Sequence, residues 1–435
     1  MGIYDFQLRG TMRDAPGIPF EKSFSIEVPE PASLNARTDF EPLRLNDRMV
    51  FEGDSGFATS SNVQTYPSLI VPMIGGKLRM PLGWNQATGG QTTSQMVTQI
   101  AAVNATNPDL VVVRGGGNDD DATDAAAETT INNLQAMVEG YTSRFVVIGT
   151  RTPLFSPHTL TPEREARRLY INSRIRAMAS DRVRVADMDL ASMTDRDFSD
   201  GRHPNQFGLY KGTPLFANAI NALIDPKADP LALWNSPDNV LFARGKDPSF
   251  MEGGGAFVNS DGGTVNRAPG SGTSDGIPNG WKITNPTSLS VTVDRVDRGD
   301  GTCGWRVRGS GIAKAAGRIK LSATCTRSPA AVAKQTNEQW IGYDQAADEQ
   351  GVGNVGMFST SSLDWTPGRS QDTGYAAAPG LPAVTGAVLR TAQAGAYGTS
   401  GLTSFTQSVE VFVQPGEVFF DRTFYKPYAA LVKAG

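Results

Sequence analysis

Arg48-Met49-Val50-Phe51-Glu52-Gly53-Asp54-Ser55-Gly56-Phe57 is the stretch that decides the fold of the amino-terminal half of the chain. Residues 48–52 read as a short, buried strand, and the Gly-Asp-Ser-Gly that stops it is turn chemistry. Runs of the same kind recur at 77–82, 110–114, 145–148 and 183–186, each short and enriched in Val, Ile or Met. Stretches of helical period lie between them. Asp124 reads as the cap of a helix running to about residue 139, with Ile131, Leu134 and Val138 three and four apart; Pro162 opens a second helix to about residue 179, and a third spans 206–223. Strands alternating with helices predict a parallel sheet covered by helices, an α/β domain. Within the second helix, Leu169, Ile175 and Met178 are expected in the core, and Arg164, Arg167 and Arg168 on a solvated face.

On either side of this domain the pattern changes. Residues 1–45 carry Pro16, Pro19, Pro29, Pro31 and Pro42 around one expected strand at 23–28, too little apolar material for an independent core, and read as an arm or docking segment. Past Pro226 the helical period fades. Residues 234–435 are punctuated by Gly, Ser, Thr and Pro, with alternating runs at 290–296, 304–309 and 408–413, and hold five of the six tryptophans. This predicts an all-β sandwich. The domains expected are therefore an arm at 1–45, an α/β domain at 46–228 and a β-sandwich at 229–435.

Composition narrows the function classes. The 435 residues include 39% hydrophobic and 19% charged residues, with 47 Gly and 27 Pro, which suits a folded, turn-rich protein of more than one core. The net charge of −4 provides no overall basic field for nucleic acid or anionic lipid. No apolar run approaches the roughly 18 residues of a membrane span and no leader peptide is evident, so a soluble protein without a cleaved signal is expected. Cys303 and Cys325 form no Cys-x-x-Cys pair, leaving at most one bridge between them. Any imidazole chemistry must use His158 or His203. His158 reads as a surface-loop residue.

Ser55 is placed at the carboxyl edge of the expected parallel sheet, where open α/β sheets put their ligands. A serine hydroxyl needs a base to become a nucleophile, and the base needs an orienting acid. Asp200-Gly201-Arg202-His203 offers both on one loop. A tetrahedral intermediate needs fixed donors for its oxyanion. Asn118 in Gly115-Gly116-Gly117-Asn118-Asp119 offers an amide, and Gly89-Gly90-Gln91-Thr92 a backbone N–H. Each piece alone has a plainer reading: a Gly-Asp-Ser turn, an Asx turn at Asn118, a helix cap at Asp200. Their joint placement at strand ends favours a catalytic site.

In chain order, Gly53-Asp54-Ser55, Gly90, Gly116-Gly117-Asn118-Asp119 and Asp200-x-x-His203 resemble the four blocks of the SGNH hydrolases, also called the GDSL esterase/lipase superfamily. The resemblance covers about residues 45–228. It implies a flavodoxin-like three-layer α/β/α fold, with Ser55 attacking an ester carbonyl, His203 as its base and Asp200 orienting His203. It also implies an oxyanion hole from the N–H groups of Ser55 and Gly90 with the Asn118 amide, and no metal or cofactor. Such enzymes hydrolyse lipid, aryl, acyl-thioester or carbohydrate O-acyl esters. Gly56-Phe57 departs from the family, which often has Ile or Leu and then Thr or Ser, so the acyl pocket is not implied; Gly83 and Gly89 compete with Gly90 for its role.

The other motifs carry less chemistry. Gly272-Thr273-Ser274-Asp275-Gly276 fits a nucleophile-elbow formula, but no histidine follows it, so it reads as a loop. Asp119-Asp120-Asp121 and Asp294, Asp297 and Asp300 lack calcium-loop spacing, although a structural ion in the β region stays open. Asn239-Val240-Leu241, residues 247–253, Gly280-Trp281 and residues 417–421 resemble the frame of jelly-roll carbohydrate-binding modules. Trp340, Tyr343, Trp365 and Tyr375 are then candidate substrate-binding platforms for sugar rings, with core packing as the plainer reading of each. Together these readings predict a serine esterase removing O-acetyl or similar groups from a surface polysaccharide. The implied partners are an acylated glycan and, through the arm, other proteins of a phage tail or virion; homo-oligomerisation is left open. An inert virion adhesin keeping the hydrolase fold and an intracellular lipase or thioesterase of cytoplasmic setting are the alternatives.

Overall fold

The computed structural model describes residues 2–11, 19–28, 41–58, 65–119, 121–239, 241, 246, 248–250, 256–259, 264–267, 277–326, 335–347, 349–361, 383–393 and 404–433. The chain divides into two compact units, Met1–Glu41 and Pro42–Gly435. The first is a hairpin of β1 (Gly2–Thr11) and β2 (Pro19–Val28), antiparallel from Gly2↔Val28 to Thr11↔Pro19. It holds two strands where one was expected. The overlooked strand carries the period-two alternation Tyr4, Phe6, Leu8 against Asp5, Gln7, Arg9, the pattern of a strand with one apolar face.

In the second unit, β3 (Met49–Gly53), β4 (Leu110–Arg114), β5 (Phe145–Gly149) and β6 (Val183–Ala186) form a parallel sheet in that order. Every residue of β3, β4 and β5 is buried, as a sheet covered on both faces requires. The helices are α1 (Tyr66–Met73), α2 (Thr93–Val97), α3 (Ile100–Ala105), α4 (Asp124–Gly140), α5 (Pro162–Arg176) and α6 (Gln206–Asn221). One core joins Val111, Val113, Val146 and Ile148 to Ile131, Leu134 and Val138 of α4 and Ile171 and Ile175 of α5. The expected strand at 77–82 is not a regular strand. It runs beside β3 through isolated parallel bridges at Arg48↔Arg79 and Phe51↔Asn85, because Pro81 lacks an N–H and Gly83, at φ +75°, turns the chain.

Two helical expectations are corrected. The cap of α4 is Thr123, whose hydroxyl accepts from Ala126 N, and that of α6 is Asn205, which accepts from Phe207 and Gly208 N. Asp200 is thereby released from capping. On α5, Ile175 is buried and Met178 packs on the core, but Leu169 is 45% exposed, and Arg168 is buried, donating to Glu165 and Asp189. Arg167 is also engaged, donating to the carbonyls of Asp121 and Ala122. Arg167 thus fastens the loop after β4, and Arg168 the segments after β5 and β6, rather than facing solvent.

The carboxyl-terminal strands are β7 (Ala256–Asn259), β8 (Thr264–Arg267), β9 (Lys282–Asn285), β10 (Ser290–Asp297), β11 (Cys303–Ala313), β12 (Gly317–Thr326), β13 (Gln335–Gln345), β14 (Val352–Ser361), β15 (Val384–Arg390), β16 (Ser404–Val413) and β17 (Gly416–Lys433). They make two sheets, β15-β13-β17-β11-β10-β8 and β14-β16-β12-β9-β7, an arrangement consistent with the expected β-sandwich. Phe250, Trp281 and Trp305 pack edge to face at its centre. Cys303 is buried; the side chain of Cys325, like residues 272–276, lies outside those described.

A polar seam joins the α/β layer to the β region. Arg390, fully buried on β15, donates to Gly76 O at 2.8 Å and Asn46 Oδ1 at 2.6 Å and pairs with Glu338 on β13. Arg79 reaches the other oxygen of Glu338 at 2.8 Å. Beside them Trp340 donates to Pro230 O at 3.0 Å and stacks on Tyr428 with ring centres 3.8 Å apart. Two guanidinium groups thus share one buried carboxylate, and truncating it strands both charges. Glu338→Ala is expected to destabilise the second unit by about 3–5 kcal/mol, read as a lowered urea midpoint. An unchanged midpoint would show that the seam contributes nothing.

Candidate active site

The turn after β3 is held from below by β4. Arg114, the one charged residue of an otherwise apolar strand, is buried and pairs with Asp54 at 2.8 Å. Its carbonyl accepts from Asp54 N at 3.3 Å, and its Nη2 donates to Thr152 Oγ1 at 3.2 Å. The same Asp54 oxygen accepts from Gly56 N at 2.9 Å, closing the turn around Ser55. A Cβ on Gly56 would lie 2.3 Å from Arg114 Nη1, which explains glycine there.

Ser55, His203 and Asp200 come together. Ser55 Oγ lies 2.8 Å from His203 Nε2, and His203 Nδ1 lies 2.7 Å from Asp200 Oδ2. The second Asp200 oxygen accepts from the backbone N–H groups of His203, at 2.7 Å, and Arg202, at 3.0 Å. Burial pushes the Asp200 carboxyl up, but hydrogen bonds from the His203 ring and from these two backbone N–H groups outweigh it and hold the group well below the usual carboxylate range. An ionised Asp200 selects the imidazole tautomer whose Nδ1 carries the proton and whose Nε2 accepts from Ser55. Gly201, at φ +80° and with no room for a Cβ against Ser156 O, sets the tight loop that brings acid and base together three residues apart.

Asn118 donates to Gln91 O at 3.1 Å and lines the pocket beside Ser55. One N–H of its amide is fixed by Gln91, and the other has no acceptor among the described residues. Gly90 adopts φ +79° on an exposed loop one residue before Gln91 and does not line the pocket itself. Among the described residues, no backbone carbonyl accepts from the N–H of Ser55 or of Gly90. His158 is exposed, as expected.

The expected sugar platforms are corrected. Trp340 is 1% exposed and Tyr343 is fully buried, so neither ring offers a face to a ligand; both serve the seam and the sheet. Trp365 and Tyr375 lie outside the described residues. The aspartate clusters are also engaged: Asp121 pairs with Arg151 and Arg164, Asp119 accepts from Thr93 N, Asp294 pairs with Arg308 and Asp300 with Lys426. Asp297 accepts from Gly299 N. Among the described residues no group of three or more His, Cys, Asp or Glu is placed to hold a metal ion, and no helix is long and apolar enough to cross a membrane.

The structure adds residues that the motifs did not mark. Arg114, Arg151, Thr152, Leu154 and Arg202 line the same pocket as Ser55 and His203. Behind Asn118, the side chain of Gln91 donates to Glu52 at 3.2 Å, so a fully buried carboxyl on β3 anchors the loop that holds the Asn118 amide. A charged residue inside an apolar strand was the available signal for both Glu52 and Arg114.

Residues 51–209 match the model of the GDSL-like Lipase/Acylhydrolase family. This GDSL-type segment contains Ser55, Gly90, Asn118, Asp200 and His203, and its four-stranded parallel sheet with helices fits the α/β domain of that family. The segment is thus similar to the GDSL-type lipases and acylhydrolases. No curated protein matches the chain. Among solved structures, the chain is similar to a carbohydrate esterase family 3 protein from Talaromyces cellulolyticus, at 19% identity over 40% of this chain and 95% of that one with a TM-score of 0.33. It is similar to the acetylxylan esterase Axe2 from Geobacillus stearothermophilus, at 15% identity over 41% and 96% with a TM-score of 0.34. A third similar structure is the C-terminal catalytic domain of peptidoglycan O-acetyltransferase A from Streptococcus pneumoniae, at 16% identity over 41% and 95% with a TM-score of 0.30.

Glu52 gives the GDSL-type segment a pH signature. Burial pushes its carboxyl up to about 8, against the lowering effect of hydrogen bonds from Gln91 and Gly53. The folded state therefore keeps a proton that the unfolded chain releases above its ordinary carboxyl range. The stability this proton supports is full at pH below about 4.5 and is lost as pH rises toward about 8. Asp200, with a depressed folded pKa, acts in the opposite sense and only at lower pH. Urea unfolding midpoints at pH 5 and pH 8 are expected to fall in the wild type and to converge in Glu52→Gln, with a gain of a few kcal/mol at pH 8. Equal pH slopes in the two proteins would contradict a protonated Glu52.

Proposed function

We propose that the protein is a serine ester hydrolase that removes small acyl groups, O-acetyl above all, from a surface polysaccharide. The observation that carries the chemistry is the continuous hydrogen-bonded line from Ser55 Oγ through the His203 ring to Asp200, at 2.8 and 2.7 Å. In the proposed cycle His203 Nε2 takes the Ser55 proton as Oγ attacks the ester carbonyl. Asp200 holds the imidazolium that results, and the Asn118 amide with the Ser55 N–H group receives the oxyanion, Gly90 lying outside the pocket lining. Collapse expels the alcohol, which takes its proton from His203. Water, activated by the same ring, then releases the acid from the Ser55 acyl-enzyme.

A short acyl group is supported by the lining of the cleft. Its larger apolar side chains are Leu154 and Pro204, which suits an acetyl better than a fatty chain. The polysaccharide and the virion setting belong to the same reading and rest on the order of hairpin, hydrolase segment and β-sandwich. Loss of the Trp340 and Tyr343 platforms shifts substrate recognition toward the rim of the α/β layer.

Turnover of an aryl acetate is the direct test. Ser55→Ala and His203→Ala are expected to abolish it, and Asn118→Ala to lower kcat by about 100 to 1,000 fold. Equal low rates in the wild type and the Ser55 and His203 variants would replace the esterase with an inert adhesin. Acetate release from an O-acetylated polysaccharide by the wild type and not by Ser55→Ala tests the substrate.

A further inference from the structure

The cleft at Ser55 is unusually rich in guanidinium groups for a site that handles a neutral acetyl ester. Arg114, Arg151 and Arg202 all line it, with Leu154 and Pro204 as apolar side chains of the wall. Arg114 is matched by Asp54 and Arg151 by Asp121. Arg202 is different: among the described residues it makes no ion pair, and its side chain has one hydrogen bond, from Nη1 to Asn118 Oδ1 at a long 3.4 Å. The carboxylate nearest in sequence, Asp200, is committed to the His203 ring and to two backbone N–H groups.

Each of the three guanidinium groups also keeps a buried nitrogen with no hydrogen-bond acceptor: Nε of Arg114, Nη1 of Arg151 and Nε of Arg202. Arg151 is 4% exposed and Arg114 7% exposed, so bulk water does not satisfy those donors. Unpaired buried donors are costly, and with Arg114 and Arg151 each matched by a carboxylate, the positive charge left uncompensated at the cleft is that of Arg202, which favours a negative group bound there. A guanidinium offers its N–H groups in a fork that fits a carboxylate in two places.

We propose that the ester hydrolysed at Ser55 belongs to a carboxylate-bearing substrate, and that Arg202, backed by Arg151, holds that carboxylate beside the reacting carbonyl. The inference rests on the hydrolase reading of Ser55 and His203 and adds the charge of the substrate to it. The carboxylate sits either on the alcohol, as in an O-acetylated uronic acid, or on the acyl group, as in a dicarboxylic half-ester. Arg202 acts in binding and specificity rather than in proton transfer.

Two matched pairs of esters distinguish the sources. O-acetylated methyl glucuronoside is compared with its neutral methyl carboxylate ester by acetate release, and monoethyl succinate with ethyl butyrate by ethanol release. An aryl acetate serves as the common reference. The charged member of one pair is expected to show a kcat/KM at least about tenfold above its neutral partner. That ratio is expected to fall toward one in Arg202→Gln, to recover in part in Arg202→Lys, and to decline with added salt. The pair that responds identifies where the carboxylate lies. Aryl acetate turnover with no charge preference in either pair, or a preference that survives Arg202→Gln, overturns the inference and leaves the hydrolase reading standing. No turnover of any ester, aryl acetate included, overturns the hydrolase reading and this inference with it.

Discussion

The buried ion pair between Arg114 and Asp54 is the constraint around which the rest of the site is arranged. It ties the carboxyl end of β4 to the turn that leaves β3, and through Thr152 it extends to the loop after β5. Placing a charge inside a parallel sheet is costly unless it is matched, and here the match is used to fix a turn. Ser55 owes its position to that pair more than to the glycines beside it, since glycine permits the turn but does not select it. The imidazole then needs only one loop, carried between β6 and α6, to reach the hydroxyl.

A second anchoring layer lies one step further from Ser55. Glu52, Gln91 and Asn118 form a chain in which a buried carboxyl holds a loop, and the loop carbonyl holds an amide. The Asn118 amide is thereby held in one orientation beside Ser55. The site is thus braced by two polar residues on adjacent buried strands, the protonated Glu52 on β3 and the charged Arg114 on β4.

Much of this was legible in the amino-acid sequence, and the divisions follow physical lines. Ser55, Asn118, Asp200 and His203 were readable because strand ends in an α/β alternation fall near one rim, whatever the details of packing. The helices of 124–140 and 162–176 were readable from their apolar spacing. Arg168, by contrast, sat on the wrong side of a helix-surface reading, because its partners Glu165 and Asp189 come together only in the tertiary structure. The segment at 77–82 matched a strand in composition, and Pro81 and Gly83 undid the ladder. Trp340 and Tyr343 were ambiguous in sequence, since an aromatic among polar and glycine residues looks the same whether it faces a sugar or a neighbouring sheet. The roles of Arg151 and Arg202 depend on convergence across the chain and had no local signature.

The seam of Arg79, Glu338, Arg390 and Asn46 changes what kind of object the second unit is. A tethered module can be cut from its neighbour, moved to another enzyme or lost without harm to either part. Here the family-like segment ends near residue 209, yet the guanidinium that closes its outer edge is donated from residue 390. Excising residues 42–228 would bare a backbone carbonyl and an asparagine whose partners lie in the discarded half. The α/β layer and the β region are therefore braced against each other, and a lesion in a distant strand can loosen a cleft it never touches.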